Sequence, residues 1–562
     1  MLLVLGRAQG GRMSAGVPGS VPSEADVVVL GSGAAGLSAA LAASANGADV
    51  VLLEKGPSVG GTAALSAGVV WVPGNHRAAS AGIADSRADA VRYIASLSNG
   101  RQDPELVEAF VDAAPEVLRW LEDATALRFV ALPYPDYHSE NPGAAAGGGR
   151  SLTEELFPFA ELGDWASRVV LSPGQESRMR LSPAETVYGG AAGGPAPEVV
   201  ADREARDMRG WGQALVGGLL AGLLRLGVEP VVSARATELV LDGDSVTGVR
   251  GVHAGEPFTV TARAGVVIAT GGFDWDADLV RAYLRGPLQN SVAVRENVGD
   301  GLRMAQSVGA DLGTMQEAYW TPLIRRPGDV RRGDGVFPRS ATVVAERSRP
   351  GSILVNRAGR RFCNEATNYN AIAGAFHVLD PATLGYPNIP AFLLFDQGFR
   401  RRGPVADCGP ADPVPDWMWS ADTLAGLAGL LGVDTAGLAA TVERFNAHAA
   451  AGRDPDFHRG ESAFERANGD PTRPGPAANL APLAEPPFYA VEIEVGAFGT
   501  RGGPVTDPAG RVLRGGTPVP GLYAAGNAAA SVMGMAYPGG GSTLGPALTF
   551  GHLAGRHAAT GK

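Results

Sequence analysis

Val27 to Leu30 are four consecutive apolar residues, the pattern of a strand buried on both faces rather than one alternating against solvent. A turn Gly31-x-Gly33-x-x-Gly36 follows, then an alanine-rich run that reads as a helix, then a second apolar strand ending at Glu54. Two further apolar strands end at glycine. "AGVVIATGGFDWD" (264 to 276) runs through Ala269-Thr270-Gly271-Gly272, and "GLYAAGNAAA" (521 to 530) runs into Gly526-Asn527. From 231 to 270 apolar and polar positions alternate, broken by the turn signals "DGD" and "HAGE", which predicts a small antiparallel meander. Residues 297 to 485 carry more Arg, Pro and Trp and few glycine turns, and strands return from "PPFYAVEIEVGAFGTRGGPVTD" (486 to 507). The organisation predicted is a flexible tail over 1–24 with Met13 as an alternative start, a nucleotide-binding domain in two pieces over 25–296 and 486–562, and an inserted α+β domain over 297–485 capping the substrate. "GAAAGGGR" (143 to 150) reads as a mobile loop, and there is no internal repeat.

Each glycine of the first turn has its own reason. Gly31 permits the tight turn, Gly33 lets a pyrophosphate approach the backbone, and Gly36 lets helix and strand pack closely, while the helix N-terminus faces the phosphates. Glu54 can accept hydrogen bonds from ribose hydroxyls. Strand, turn, helix, second strand and acidic end coincide, which predicts a Rossmann-like parallel α/β sheet that binds a dinucleotide. "SVGGTAALSAG" (58 to 68) continues from the second strand with Gly60, Gly61, Thr62 and Ser66.

Composition narrows the field. A chain of 562 residues exceeds one core, and its 79 glycines are about twice the usual share. With 45% hydrophobic residues these glycines belong to the turns of a globular enzyme rather than to disorder. The net charge of -11 without a basic run speaks against nucleic acid. Two cysteines without a C-x-x-C pair exclude a disulfide framework and a zinc site and fit a reducing cytoplasm, and the eight histidines show no metal-binding spacing. No run of 18 apolar residues predicts a spanning helix, which leaves peripheral membrane contact open, and the apolar core of "MLLVLGRAQGGRMS" is too short for a secretory signal.

Three glycine-marked strand ends at these separations resemble the fumarate reductase and ketosteroid dehydrogenase superfamily of FAD proteins. "YPGGGSTLGPALTFGHLAG" (537 to 555), "ERSRPGSILVNRAGRRFCNEATNY" (346 to 369) and "YPDYHSENPGAAAGGGRS" (134 to 151) narrow the resemblance to the 3-ketosteroid Δ1-dehydrogenases. The family implies FAD gripped from both ends of the chain, by Gly31, Gly33, Ala35, Gly36, Glu54, Lys55, Gly60, Gly61, Thr62, Ser66, Gly68, Ala236, Thr270, Gly271, Gly272, Asp300, Gly526, Asn527, Ser542 and Leu544. No histidine near "GGTAALSAG" offers covalent attachment, so the flavin is expected to be non-covalent. Without a second GxGxxG in strand context for a nicotinamide, electrons are expected to leave to a quinone or another acceptor. The chemistry implied is α,β-desaturation of a cyclic ketone, with one hydrogen leaving as a proton and the other as hydride. Tyr537 and the Gly541 N–H would bind the ketone oxygen, Tyr369 would be the base, and Tyr137 would hydrogen-bond Tyr369 and favour its phenolate, since a free tyrosine titrates near pH ~10. Ser66, Tyr134 and Tyr188 would line the pocket.

The pattern departs from the family at Gly540, where a proline is common, and in "LSPAETVYGG" (181 to 190). Both departures bear on the ring system, leaving a 3-ketosteroid and a smaller cyclohexanone-type ring as readings, with Δ4-desaturation beside them. A fumarate-reductase reading needs cations for two carboxylates and a histidine in "GAFGTRGGP", where Gly499 and a lone, structural Arg501 stand instead. A flavin-holding protein without catalysis is opposed by the occupation of all four catalytic positions.

Overall fold

The apolar run Val27–Leu30 becomes the interior of a parallel sheet in the computed structural model, which describes residues 20–562 except 172–174, 177, 187, 189–193, 326–328, 333, 334, 339, 340, 343–345 and 407. Most of the tail expected over 1–24, Met13 included, and part of the stretch 181–190 lie outside the described residues. The strand order is Val50–Leu53, Glu24–Leu30, Glu256–Ile268, Thr517–Ala524, Arg511–Arg514, with the first four parallel and the last antiparallel. Ala234–Asp242 and Ser245–His253 form the expected meander, which joins the sheet through Glu256–Ile268. That strand alternates in exposure while it pairs with the meander and becomes wholly buried at Val266–Ile268, where parallel neighbours flank it.

The helix Ala34–Ala45 is buried from Ala34 through Ala43 because helices pack on the side away from the sheet. Leu544–Thr560 lies against it at backbone distance. A methyl at Gly551 would stand 2.4 Å from the Ala35 carbonyl oxygen, and one at Gly555 2.1 Å from that of Ala39. The alanine and glycine content of both helices is therefore what permits this contact.

A second sheet runs Ala341–Thr342, Ala318–Ile324, Phe488–Thr500, Ala391–Asp396, Ser352–Asn356, and all of these neighbours are antiparallel. The strand predicted to open the returning nucleotide-binding segment, Phe488–Thr500, is the spine of this second sheet. The return to the first sheet comes only with Arg511–Arg514 and Thr517–Ala524. Its apolar pattern is that of any doubly covered strand, and only partners distant in sequence, such as Ala391–Asp396 and Ala318–Ile324, decide which sheet it joins. Side chains on one face of the second sheet, including Trp320, Phe395 and Ile493, pack under the helix Tyr369–Phe376 through Ile372 and Phe376.

The chain entering that helix is held by a buried ion network. Arg361 bonds both oxygens of Glu365 at 2.7 Å and both of Asp454 at 3.1 and 2.8 Å, and Arg459 bonds Glu365 at 3.1 Å. Arg347 donates to the carbonyls of Glu365 and Thr367, and the Asn368 side chain accepts from Ala371 N–H at 2.9 Å, capping the helix at Tyr369. Removing Glu365 strands Arg459 as a buried cation, so Glu365→Ala is expected to lower stability by about 3–5 kcal/mol in equilibrium denaturation. A loss below about 1 kcal/mol would show that the network acts like a solvated surface pair.

Candidate active site

The parallel strands end at Leu30, Leu53, Ile268 and Ala524, and a cavity of about 610 Å³ opens where they stop. Gly31 (φ +98°) turns the chain here, with space for no side chain: a Cβ would lie 2.4 Å from the Ala269 carbonyl oxygen. A Cβ on Gly36 would lie 1.8 Å from the carbonyl oxygen of Gly31. Gly33 is the opposite case. A Cβ there meets nothing within 4 Å, and as helix N-cap it offers no side-chain bond to the first N–H groups. The helix thus presents uncapped donors to open space, the arrangement that binds a phosphate.

Beside it the Glu54 carboxylate accepts from Ser32 O–H at 2.5 Å, Ser32 N–H at 3.0 Å and Gly56 N–H at 2.7 Å. Burial pushes its pKa up against the pull of these bonds. Lys55 pairs with Asp300 at 2.8 Å, which also holds Arg235 at 2.7 Å. Thr62 Oγ1 accepts from Val294 N–H at 3.2 Å. Ala35, Gly61, Ser66, Gly68, Ala236, Thr270, Gly271, Gly526, Asn527 and Leu544 also line the cavity.

At its other end stand the tyrosines. Tyr137 donates to the Tyr369 hydroxyl oxygen at 3.0 Å, and the ring of Tyr537 lies 5.5 Å from both of theirs. Tyr537 hydroxyl contacts Thr543 Oγ1 at 3.1 Å. All three rings are buried, and burial raises the phenol pKa of each, most strongly for Tyr137 and Tyr369, where the neighbouring phenols add to it. All three are protonated donors near neutral pH. The hydrogen bond expected between Tyr137 and Tyr369 is present, and the Tyr369 phenol nevertheless stands well above its ordinary pKa, chiefly through burial.

The chain before and through Gly541 is bound by its carbonyls. Pro538 O accepts from Tyr137 N–H at 2.8 Å and Tyr93 O–H at 2.6 Å, Gly540 O from Ser151 O–H at 2.8 Å, and Gly541 O from Trp71 N–H at 3.2 Å. A peptide unit is planar and trans, so the Gly541 N–H points opposite to the Gly540 carbonyl, away from Ser151. It has no acceptor among the described residues, and Gly541 lines the cavity. Gly541 itself must be glycine: φ is +96°, and a Cβ would come within 2.6 Å of the backbone of Val69–Trp71.

Residues 26–544 match the FAD binding domain family. The 4-oxocyclohexanecarboxylate 2-dehydrogenase of Sinomonas cyclohexanicum is 42% identical over 548 residues, covering 96% of this chain and 93% of that protein. The 3-oxosteroid 1-dehydrogenase of Mycobacterium tuberculosis is 38% identical over 572 residues, covering 95% and 98%. The crystal structure of 3-ketosteroid Δ1-dehydrogenase from Sterolibacterium denitrificans with 1,4-androstadiene-3,17-dione superposes with a TM-score of 0.88 at 34% identity, covering 96% of this chain and all of that one. The chain belongs to the 3-ketosteroid Δ1-dehydrogenase family.

A member of this family is an FAD-dependent oxidoreductase, and the residues present fit FAD: the uncapped helix and open backbone at Gly33 suit the pyrophosphate, and Glu54 suits a ribose. Four expected FAD residues support the cradle without lining it. Gly36 packs helix against strand. Gly60 (φ +105°) makes a turn whose N–H is held by Ser32 Oγ at 3.1 Å. Gly272 packs on Thr500, where a Cβ would lie 2.3 Å from the hydroxyl, and Ser542 is bound within its own turn to Gly539. Of the expected pocket residues, Ser66 and Tyr188 line the cavity. Tyr134 stands behind the wall, edge-on to Tyr137 and Tyr188, its hydroxyl donating to Asn468 at 2.8 Å.

Arg501, read from the sequence as structural, has a structural place whose reach the sequence did not show. It is fully buried, donates to the carbonyls of Gly534 and Ala536 and to Asn370 Oδ1 at 2.7 Å, and lies 4.4 Å from the Tyr319 ring and 5.6 Å from that of Tyr537. It thereby ties the loop before Tyr537 to the residue after Tyr369. Two residues of the cavity wall, Arg178 and Thr543, went unread, because neither type is informative without its neighbours.

The two kinds of glycine separate experimentally. Gly33→Val is expected to fold yet lose at least about 100-fold in FAD affinity, read as flavin absorbance retained on gel filtration, because its side chain fills ligand space. Gly36→Val is expected to lower the melting temperature of the apoprotein itself, because its side chain meets backbone. Equal melting temperatures for the two variants would refute this division.

Proposed function

We propose that the enzyme desaturates a cyclic ketone between its α and β carbons, as the names of its relatives suggest for their own substrates. The observation that carries this reading is that the buried phenols of Tyr137, Tyr369 and Tyr537 share one cavity with the Gly541 N–H, which has no acceptor among the described residues. Tyr537 O–H and Gly541 N–H donate to the ketone oxygen, where negative charge develops as the α carbon loses its proton. Tyr369 takes that proton as its phenolate, having first lost its own proton, and Tyr137 donates to the phenolate oxygen and steadies its charge until the transfer neutralises it. Bound FAD supplies the oxidant for the second hydrogen, which leaves the β carbon as hydride. Packing of aromatic rings keeps water from the enolate.

In this reading the second sheet and the helix Tyr369–Phe376 form a capping unit that carries the base, while the first sheet carries the cofactor. The flavin is held without a covalent bond, as no histidine occurs in residues 58–68. Electrons pass to a quinone or similar acceptor, and the enzyme works in the cytoplasm, in keeping with two free, buried cysteines. Among the described residues no helix is long and apolar enough to cross a membrane.

Anaerobic addition of a cyclic ketone to the FAD-loaded enzyme is expected to bleach the flavin. Absence of bleaching with steroid and cyclohexanone-type ketones alike would overturn the reading. Tyr369→Phe is expected to slow bleaching by about 10²- to 10⁴-fold, and unchanged bleaching would remove Tyr369 as base. Burial raises the Tyr369 pKa above its ordinary value, and the base acts only once deprotonated, so kcat/KM should climb tenfold per pH unit from neutral into the alkaline range. A flat profile there would place the proton acceptor elsewhere.

A further inference from the structure

The charged side chains around the cavity are nearly all committed. Lys55 is paired with Asp300, Glu54 is held by three donors, and Glu346 accepts from Ala406 N–H at 3.1 Å. Glu296 and Arg178 line the cavity without such a partner, and of the two the cation is Arg178. It lines the cavity, remains exposed there, and has no carboxylate partner among the described residues. Its guanidinium lies flat against the indole of Trp211, 3.8 Å from the ring centroid, which orients the group without neutralising it.

Its position identifies what it faces. Trp211 abuts Gly68, where a Cβ would lie 2.6 Å from the Trp211 backbone, and its ring meets that of Tyr188 at 6.2 Å. The Tyr188 ring stands 5.0 Å from that of Tyr134, which stands 6.3 Å from that of Tyr137. Arg178 thus belongs to the phenol end of the cavity, joined to Tyr137 by a run of rings through Trp211, Tyr188 and Tyr134. A cavity of about 610 Å³ falls within the usual ~300–1,000 Å³ for a single small ligand, and here cofactor and ketone must share it.

We infer that Arg178 selects a cyclic ketone carrying a carboxylate on its ring, gripping the carboxylate while Tyr537 and Gly541 hold the ketone oxygen. The inference rests on the desaturase reading above and specifies its substrate class. A planar guanidinium matches a carboxylate in a two-point hydrogen bond, and a neutral ring leaves it unpaired.

The test compares 4-oxocyclohexanecarboxylate, its methyl ester and 4-androstene-3,17-dione on the FAD-loaded full chain. The acid is expected to exceed its ester in kcat/KM by about 10- to 100-fold, the range of a hydrogen bond between charged groups. Arg178→Met is expected to collapse that ratio towards one, with the loss mainly in KM, and Arg178→Lys to restore part of it. Desaturation of ester or steroid with no preference for the acid would overturn the inference and leave the desaturase reading standing, as would a preference that survives Arg178→Met. Should Arg178→Met fail to fold, the wild-type ratio of acid to ester decides alone. If none of the three ketones bleaches the flavin, the desaturase reading falls and the inference with it.

Discussion

The rigid peptide unit between Gly540 and Gly541 sets the geometry on which the ketone end of the cavity depends. Its carbonyl is bound to Ser151, and because the unit is planar its N–H has only one direction left. The bonds on Pro538, Gly539 and Gly541 hold the units on either side, so that donor is oriented before any ligand arrives. Preorganisation of this kind matters most where charge appears only during reaction, because the donor then needs no rearrangement at that moment. The same bonds come from Tyr93, Tyr137, Ser151 and Trp71, which ties the loop to a wall otherwise remote in sequence.

Electrostatics at this end are those of a dry site. Tyr137, Tyr369 and Tyr537 crowd together where burial raises the pKa of each, so each keeps its proton, and the Arg501 guanidinium lies 5.6 Å from the ring of Tyr537. That cation works against the rise in pKa that burial causes at Tyr537, which strengthens its O–H as a donor, and it steadies the loop by its bonds to the Gly534 and Ala536 carbonyls. Gly540 adds room here: a Cβ on it would lie 3.6 Å from the Tyr137 hydroxyl, an ordinary contact, so the missing side chain widens the cavity wall rather than relieving a clash.

Much of this was legible from local pattern. The doubly buried strand, the spacing of Gly31, Gly33 and Gly36, and the acidic end at Glu54 all arise from contacts within one strand–helix–strand unit, and short-range pattern records short-range physics. The four residues at the ketone end came from resemblance, since a tyrosine's role is not written in its neighbours along the chain. What escaped reading depends on distant partners. Phe488–Thr500 could have joined either sheet, and its apolar residues carry no mark of which. Arg501 and Arg178 look alike in sequence, yet one is enclosed by carbonyls and the other faces open space. Gly36 and Gly33 also look alike, and only the atoms opposite them distinguish a packing contact from a ligand site.

The cradle has a further consequence for how the protein is made. Its floor comes from residues 24–68, but the neighbouring strand Thr517–Ala524 and the covering helix Leu544–Thr560 leave the ribosome far later. Until they arrive, the alanine helix Ala34–Ala45 lacks the close contact that Gly551 and Gly555 make with Ala35 and Ala39, and the cavity lacks the wall formed by Ala525, Gly526, Asn527 and Leu544. The cradle is therefore complete only when segments some five hundred residues apart have met, Leu30–Val69 on one side and Ala525–Ala547 on the other.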